Sequence, residues 1–294
     1  MKSSLLKTAL TAMVAAGLLA GCGVADKSSG DSGSKADVVA KVDSSKLVRA
    51  GRLTTCMDMP YKPFQYFDDK GDPVGVDIDL INEVAARVGL EPNIQNSVFD
   101  TIIAALKGGK CDMIWADQYV TPERIEQIDM VAYWKANEVV VVPEGNPKGI
   151  TSKDELCGFK VAGQKGGADV IALEELDAAC KKAGKPGIQI LQYPRSPDAY
   201  QSLASGKTDA WMTEQVAALL LQKESEAPIE FADTFTLGDG KIAGLTGISF
   251  RIGDSAIKEP VMKALESMVE DGTYAKIWEK WGLTDAVIDP DDSF

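Results

Sequence analysis

The segment Thr121-Pro122-Glu123-Arg124 holds the clearest chemistry in the sequence. Threonine suits a helix N-cap, proline the first helical position and glutamate the first turn, so the segment reads as a helix start. Taken alone, Arg124 would be a solvated first-turn arginine, slightly disfavoured there by the helix dipole. It follows a strand predicted over 113–116, however. That places a permanently charged planar fork at the carboxyl edge of a parallel sheet, where a carboxylate fits it bidentately. The 294 residues contain no histidine, which removes Ser-His-Asp and Cys-His nucleophiles and His-containing zinc sites. With 31 Lys+Arg against 44 Asp+Glu and a formal net charge of −13, nucleic acid is not an expected partner. Ser205-Gly206-Lys207-Thr208 imitates the end of a phosphate-binding loop. Gln201 stands where its first glycine belongs, and the segment ends a helix before a strand instead of the reverse. Asp68-Asp69-Lys70-Gly71-Asp72 lacks the spacing and terminal glutamate of an EF-hand and reads as a hairpin turn. No cofactor and no metal site is expected.

The elements that must position Arg124 alternate. A strand over 52–57 is followed by a helix over 76–88, whose Ile78, Ile81, Val84, Ala85 and Val88 recur at three-to-four spacing. A strand over 92–96, a helix over 99–107 and the strand over 113–116 complete a βαβαβ unit, which favours a parallel sheet with ligand at its carboxyl ends. The β-branched run 138–142 could leave this first domain, and a second alternation follows. It has strands over 160–162, 189–193 and 209–212 and helices over 169–182, 199–205 and 214–223. An extended stretch over 242–251 could run back, and helices over 255–270 and 273–281 would complete the first domain. Two α/β domains joined by two crossing strands make a hinge with a cleft, a favoured place for small ligands. Trp115 and Trp211 read as core residues. Tyr274, Ile277, Trp278 and Trp281 follow helical spacing and read as packing.

The amino terminus reads as an address. Lys2 and Lys7 precede an apolar run over 9–20 that is too short for a stable span, as in a secretory signal. Leu19-Ala20-Gly21-Cys22 resembles the bacterial lipobox, in which the cysteine thiol accepts a diacylglycerol. Residues 1–21 are therefore expected to form a lipoprotein signal peptide and Cys22 to carry the lipid. Cleavage there removes two lysines and no acid, making the net charge two units more negative. Residues 22–46, rich in Ser, Gly, Asp and Lys, read as a flexible tether. Four cysteines remain. Cys157 precedes a strand and Cys180 lies late in the next helix, so a disulfide closing a loop of about 24 residues is expected, stabilising by about 3 kcal/mol. Cys56 lies late in one predicted strand and Cys111 at the start of another; if those strands are parallel neighbours, the two are roughly four residues out of register, about 13 Å apart. Bridging needs less than about 7 Å, and that pairing stays open.

Several strings occur in an order that resembles the family 3 extracellular solute-binding proteins of ABC importers, the polar amino acid binders. They are Met57-Asp58-Met59-Pro60-Tyr61-Lys62-Pro63-Phe64, Gly75-Val76-Asp77-Ile78-Asp79-Leu80, Phe99-Asp100 before a helix, and Thr121-Pro122-Glu123-Arg124. Asp271-Gly272-Thr273-Tyr274, followed by Ile277, Trp278, Lys280, Trp281 and Gly282, completes the set. The resemblance spans about 47–283. It implies an α/β, two-lobe, periplasmic-binding-protein-like fold of type II, with a two-strand hinge and an interdomain cleft. Lobe 1 is expected over 47–141 and 245–294, and lobe 2 over 142–244. Carried over position by position, it implies that Arg124 grips an α-carboxylate and that Glu214 stands where an aspartate usually takes the α-ammonium. Tyr61 and Phe99 would sandwich the side chain, Asp58 could face a distal cation, and Gly166 belongs to a turn that contacts the ligand.

The chain departs from that pattern at three places. Gly167 and Ala168 replace a hydroxyl pair, leaving backbone amides as donors. Asp117 and Tyr119 stand where small or hydroxyl residues are usual. Asp117 must face away, pair with Arg124, or meet a cation on the ligand. Glu214 is one methylene longer than aspartate. If Asp58, Asp117 and Glu214 all line the cleft, desolvating them without a cation is costly, which favours a cationic or zwitterionic ligand. The reading is a monomeric, lipid-anchored binding protein that works outside the cytoplasm. It captures an amino acid or related zwitterion and delivers it to an ABC permease in the membrane, without catalysis. Two alternatives share the fold: an enzyme like cyclohexadienyl dehydratase, with Glu214 as general acid, and a ligand-sensing ectodomain.

Overall fold

The computed structural model describes residues 37–225, 227–238 and 242–284. The expected signal peptide, Cys22 and most of the tether lie outside the described residues. In chain order the elements are β1 (Arg52–Met57), the hairpin strands β2 (Tyr66–Phe67) and β3 (Pro73–Val74), α1 (Val76–Arg87), β4 (Glu91–Asn96) and α2 (Ile102–Lys107). Next come β5 (Met113–Tyr119), the one-turn α3 (Pro122–Ile125), β6 (Asp129–Lys135), β7 (Glu138–Pro143), β8 (Lys160–Gln164) and α4 (Ala168–Lys182). The chain continues through β9 (Gln189–Tyr193), α5 (Ser196–Ala204), β10 (Ala210–Glu214), α6 (Gln215–Ser225), β11 (Ile229–Phe235), β12 (Leu245–Phe250), α7 (Ser255–Glu270) and α8 (Thr273–Lys280).

Two five-stranded mixed sheets result, ordered β4-β1-β5-β12-β6 and β11-β7-β10-β8-β9. Each forms the centre of one lobe of an α/β two-lobe fold of type II. In the first sheet β1 pairs parallel with β4 and β5, while β12 runs antiparallel to β5 and β6. In the second, β8 pairs parallel with β9 and β10, while β7 runs antiparallel to β10 and β11. The chain crosses between lobes twice, from β6 to β7 through Ala136 and Asn137, and from β11 back to β12. By sheet membership the first crossing precedes the 141/142 division expected from sequence, because β7 pairs along its length inside the second sheet. The crossings hold each other: the Ala136 amide donates to the Gly244 carbonyl at 2.8 Å, and the Thr236 hydroxyl to Asn137 Oδ1 at 2.9 Å.

The unbroken run Val139–Val142 follows from burial on both faces of the sheet. Val140 and Val142 pack into one cluster with Leu156, Val161 and Leu173, and Val139 and Val141 into another with Leu203 and Trp211. The core of the first lobe sets the apolar face of α1 against Leu53, Met57, Trp115 and Tyr133, and against Val261, Leu265 and Trp278 of α7 and α8. Trp115 and Trp211 are core residues here, as expected, and Tyr274 and Trp278 are buried with Ile277 and Trp281 packed against them. Gly75 at the N-cap of α1 has φ of 137°, and a Cβ there would stand 2.1 Å from the Phe64 carbonyl oxygen. Only glycine lets this helix begin so close to the preceding loop.

Several elements differ from expectation. β6 and β11 have no counterpart in the sequence reading, and the helix expected from 99 opens as a 3-10 turn, Phe99–Thr101. The strand expected over 113–116 continues to Tyr119, and Glu214 closes β10 instead of opening a helix. The end of the tether is docked by a backbone bond and one buried side chain. The Val39 amide donates to the Arg87 carbonyl at 2.9 Å, and Val42 joins the core of the first lobe.

Both cysteine pairs are disulfides, Cys157–Cys180 with Cα atoms 5.6 Å apart and Cys56–Cys111 with Cα atoms 5.7 Å apart. The 13 Å separation expected for the second pair assumed that Cys111 lies on a strand. It lies instead in the turn before β5, which folds back over β1. Asp112 accepts from the Thr54 and Val48 amides at 2.7 and 2.8 Å, and Arg251 donates to the Cys111 carbonyl at 2.7 Å. The two bridges span 23 and 55 residues. Loop entropy then assigns about 3 kcal/mol to the first and about 4 kcal/mol to the second. Replacing Cys56 and Cys111 together by serine is expected to lower the unfolding free energy by about 2–4 kcal/mol in urea titration. The Cys157/Cys180 pair should cost somewhat less, and the reverse order would mean that native-state packing, not chain entropy, dominates.

Candidate functional site

Strand ends from both sheets converge on one cavity between the lobes. Asp58 follows the carboxyl end of β1, Asp117 and Tyr119 lie at the end of β5, and Arg124 sits on α3 just beyond. From the second lobe come Gln164 at the end of β8, Gly167, Ala168 and Asp169 at the start of α4, and Thr213 and Glu214 at the end of β10. Glu138 joins them because β7 runs antiparallel to β10, so its first residue lies at the edge where β10 ends. Tyr61, Gln65, Phe99 and Ala116 complete the wall of a cavity of about 30 Å³. That is room for about one water molecule in this arrangement of the lobes.

Eight of the nine binding positions expected from sequence therefore stand on one cavity: Asp58, Tyr61, Phe99, Asp117, Tyr119, Arg124, Gly167 and Glu214. Gly166 does not line it, but its carbonyl accepts from Arg124 at 2.9 Å across the cleft. Gln65, Glu138, Gln164, Asp169 and Thr213 were not singled out from sequence. For Glu138 a signal existed, a lone acid heading an otherwise apolar strand.

Arg124 is buried, with its N-cap Thr121 hydroxyl accepting from the Arg124 amide. Its guanidinium donates to the Tyr119 carbonyl at 2.6 Å and to Gly166, and lies 5.6 Å from the Phe99 ring centre. These bonds use two of its five N–H donors. Burial lowers its pKa to about 10, opposed by the charges of Asp169, Asp117 and Glu123.

Around this cation stand five buried carboxylates, Asp58, Asp117, Glu138, Asp169 and Glu214. Asp58 accepts from the Gln164 side-chain amide at 2.6 Å, a bond between the lobes. Burial raises its pKa to about 6 against that bond. Asp117 has φ of 50° where the register between β5 and β12 shifts, and this bulge aims its side chain into the cavity. It does not face away: the Trp134 indole donates to it at 2.8 Å. Burial, then the charges of Glu214 and Asp77, hold it well above the usual carboxylate range.

Glu214 accepts from the Val216 and Ala217 amides at 2.6 and 2.9 Å, capping α6, and burial pushes it to about 8 against those bonds. Asp169 accepts from the Gln164 amide at 2.6 Å and from the Val170 amide, and burial raises it to about 7. Its carboxylate thus fills the anion position at the start of α4. The Gly167 amide is also engaged, with the Gln164 carbonyl. Of the two amides expected to replace the missing hydroxyl pair, that of Gly167 is therefore already used. Glu138 is raised well above the usual range by burial and then by Asp169, Glu214 and Asp117, against hydrogen bonding by the Tyr119 hydroxyl. Among the described residues no group of three or more acidic or cysteine side chains is arranged to hold a metal ion.

The family model of the bacterial extracellular solute-binding proteins, family 3, matches residues 53–284. The lysine/arginine/ornithine-binding periplasmic protein of Escherichia coli strain K12 is 31% identical over 80% of this chain and 86% of its own length. The L-cystine-binding protein TcyA of Bacillus subtilis strain 168 is 29% identical over 96% of this chain and 97% of its own. Among solved structures, an ancestral arginine-binding protein bound to arginine superposes with a TM-score of 0.71 at 33% identity. It covers 79% of this chain and 98% of its own. Among the described residues no helix is long and apolar enough to cross a membrane.

The raised carboxylates fix a pH dependence. Asp58, Asp169 and Glu214 titrate near 6, 7 and 8 in the folded chain and near 4 when unfolded. Between about pH 4 and 8 the folded state holds protons that the unfolded chain has released, so unfolding free energy falls as pH rises through that window. Calorimetry of ligand-free protein is expected to give a melting temperature lower by about 5 °C or more at pH 8 than at pH 5. Glu214→Gln, which carries no titrating proton, should remove part of that slope. A melting temperature that rises across the window would mean that these groups are ionised in the fold.

Proposed function

The chain belongs to the bacterial extracellular solute-binding proteins of family 3, and from that premise we propose that it captures a basic amino acid outside the cytoplasm and delivers it to an ABC permease. The observation that carries the reading is the acidity of the cavity wall: five buried carboxyl groups against one guanidinium. An amino acid with a cationic side chain brings two positive groups and one negative. Its two cations offset the cost of desolvating the wall, and Arg124 has donors left for its single carboxylate. Cystine, the ligand named for one relative, has two carboxylates and would need a second grip of that kind. Among the described residues Arg124 is the only arginine or lysine on the wall.

In this reading Arg124 holds the α-carboxylate, Glu214 takes the α-ammonium, and Tyr61 and Phe99 flank the aliphatic part of the side chain. Ligand groups that touch both lobes stabilise the closed arrangement by their differential affinity, and no bond is made or broken. A diacylglycerol on Cys22 would keep the lobes near the permease.

Thermal-shift measurements on purified, ligand-free protein are expected to show stabilisation by L-arginine, L-lysine or L-ornithine. L-Citrulline, L-glutamine, L-cystine and glycine betaine should have little effect at the same concentration. Arg124→Ala should weaken binding of the basic amino acid by about 100-fold or more. It should also lower the melting temperature of the ligand-free protein, because the Tyr119 and Gly166 carbonyls lose their donor. Stabilisation by agmatine equal to that by arginine would remove the role given to Arg124, and a response to cystine alone would sink the basic-ligand reading.

A further inference from the structure

Glu138 stands out among the acids of the cavity. It opens β7 and pairs directly with Glu214 of β10 in antiparallel register. Residues so paired project from the same face of a sheet, and like charges there repel. Each of the other four lining carboxylates is engaged: Asp58 by Gln164, Asp117 by Trp134, Asp169 and Glu214 by backbone amides. Glu138 alone among them has a buried oxygen, Oε2, without a hydrogen-bond partner. The residue is 2% exposed, and the remainder of its strand is apolar. The hydroxyl of Tyr119, a neighbour on the same wall, is likewise buried and is the one hydrogen-bonding group that opposes the rise in the Glu138 pKa.

A carboxyl group kept dry, facing a second one and approached by no donor but the Tyr119 hydroxyl, ionises at a cost unless a cation arrives with the ligand. We propose that Glu138, with the Tyr119 hydroxyl beside it, reads the second cation of the ligand, the guanidinium or terminal ammonium of a basic amino acid. By doing so it sets the preference for a charged side chain over a neutral one of the same shape. The inference rests on the basic-amino-acid reading above and moves the role from Asp58, where the family resemblance had put it. Asp58 is committed to the Gln164 amide and ties the two lobes together.

The test compares L-arginine with L-citrulline, which replaces the guanidinium by a neutral urea of nearly the same shape and leaves the α-groups unchanged. Dissociation constants are measured by calorimetry for the full chain and for Glu138→Gln, Glu138→Asp and Asp58→Asn. The wild type should favour arginine strongly. In Glu138→Gln arginine should weaken by about 30-fold or more while citrulline moves by less than about 3-fold, so the preference collapses. Glu138→Asp keeps the charge and should retain part of the preference. Asp58→Asn should weaken both ligands alike, because it loosens closure.

Ligand-free Glu138→Gln should melt at or above the wild-type temperature, since a repulsive pair has been removed. A purely structural role would lower that temperature and weaken both ligands together, which overturns the proposal. An arginine preference that survives in Glu138→Gln overturns the role of Glu138 while leaving the basic-amino-acid reading intact. A wild type that does not discriminate arginine from citrulline sinks that reading and this inference with it.

Discussion

An ionised carboxylate loses several kcal/mol of solvation on burial unless a cation or donors replace the water. This fold brings five carboxylates to one cavity around a single guanidinium. The strand ends that converge there make the accumulation unavoidable: β1, β5, β8 and β10 all deliver their carboxyl ends to the cleft, and β7 begins there. Protonation offers one escape, and the rise of Asp58, Asp169 and Glu214 to about 6, 7 and 8 is its signature. A cationic ligand is the other. The two compete, since a cation entering the cavity favours the ionised form of each acid it faces, so binding and proton release are linked.

The same cavity is where the lobes touch. Arg124 reaches Gly166, Gln164 reaches Asp58, Lys165 pairs with Asp100 at 2.8 Å, and Lys62 pairs with Glu224 at 3.0 Å. The last two lie at exposed positions and are worth little each. The first two are buried and share their residues with the cavity wall. Contacts that hold the lobes shut are thus made by the groups that a ligand would recruit. A ligand drawing on Arg124 or Asp58 shifts the population toward closure only by what it gains beyond the bonds already present.

Much of this was legible in the residues. β1 and β9 fall on their expected bounds, α1 and α7 on or close to theirs, because alternation and three-to-four apolar spacing are local signals. The hairpin at Asp68–Asp72 and the cap at Thr121 are also local, and both form. β6 and β11 were not legible. Both pair antiparallel at the edge of a sheet, β6 with a strand more than a hundred residues later, so their sequence carries no nearby partner. The pocket divides in the same way. Residues anchored to a recognisable string, Asp58, Phe99 and Arg124, stand on the cavity. Asp117 depends on a bulge, Glu138 on the direction of β7 relative to β10, and Asp169 on the first turn of α4. The first two are consequences of long-range pairing that no window of sequence contains, whereas Asp169 sits on a helix the sequence did show but lacked a motif to mark it.

The replacement of a hydroxyl pair by Gly167 and Ala168 gains its meaning from Asp169. A Cβ at Gly167 would stand 2.0 Å from Asp169 Oδ1, so a hydroxyl-bearing residue there is incompatible with the carboxylate in its present position. The glycine and the acid belong together: one makes room, and the other occupies the amides at the start of α4. An anion on the ligand therefore finds part of the helix terminus taken and relies the more on Arg124, and Asp169 adds its own acid to the wall. The absence of a hydroxyl at Gly167 and the presence of the Asp169 acid are coupled by this contact, and both tilt the cavity toward ligands whose positive groups outnumber their negative ones.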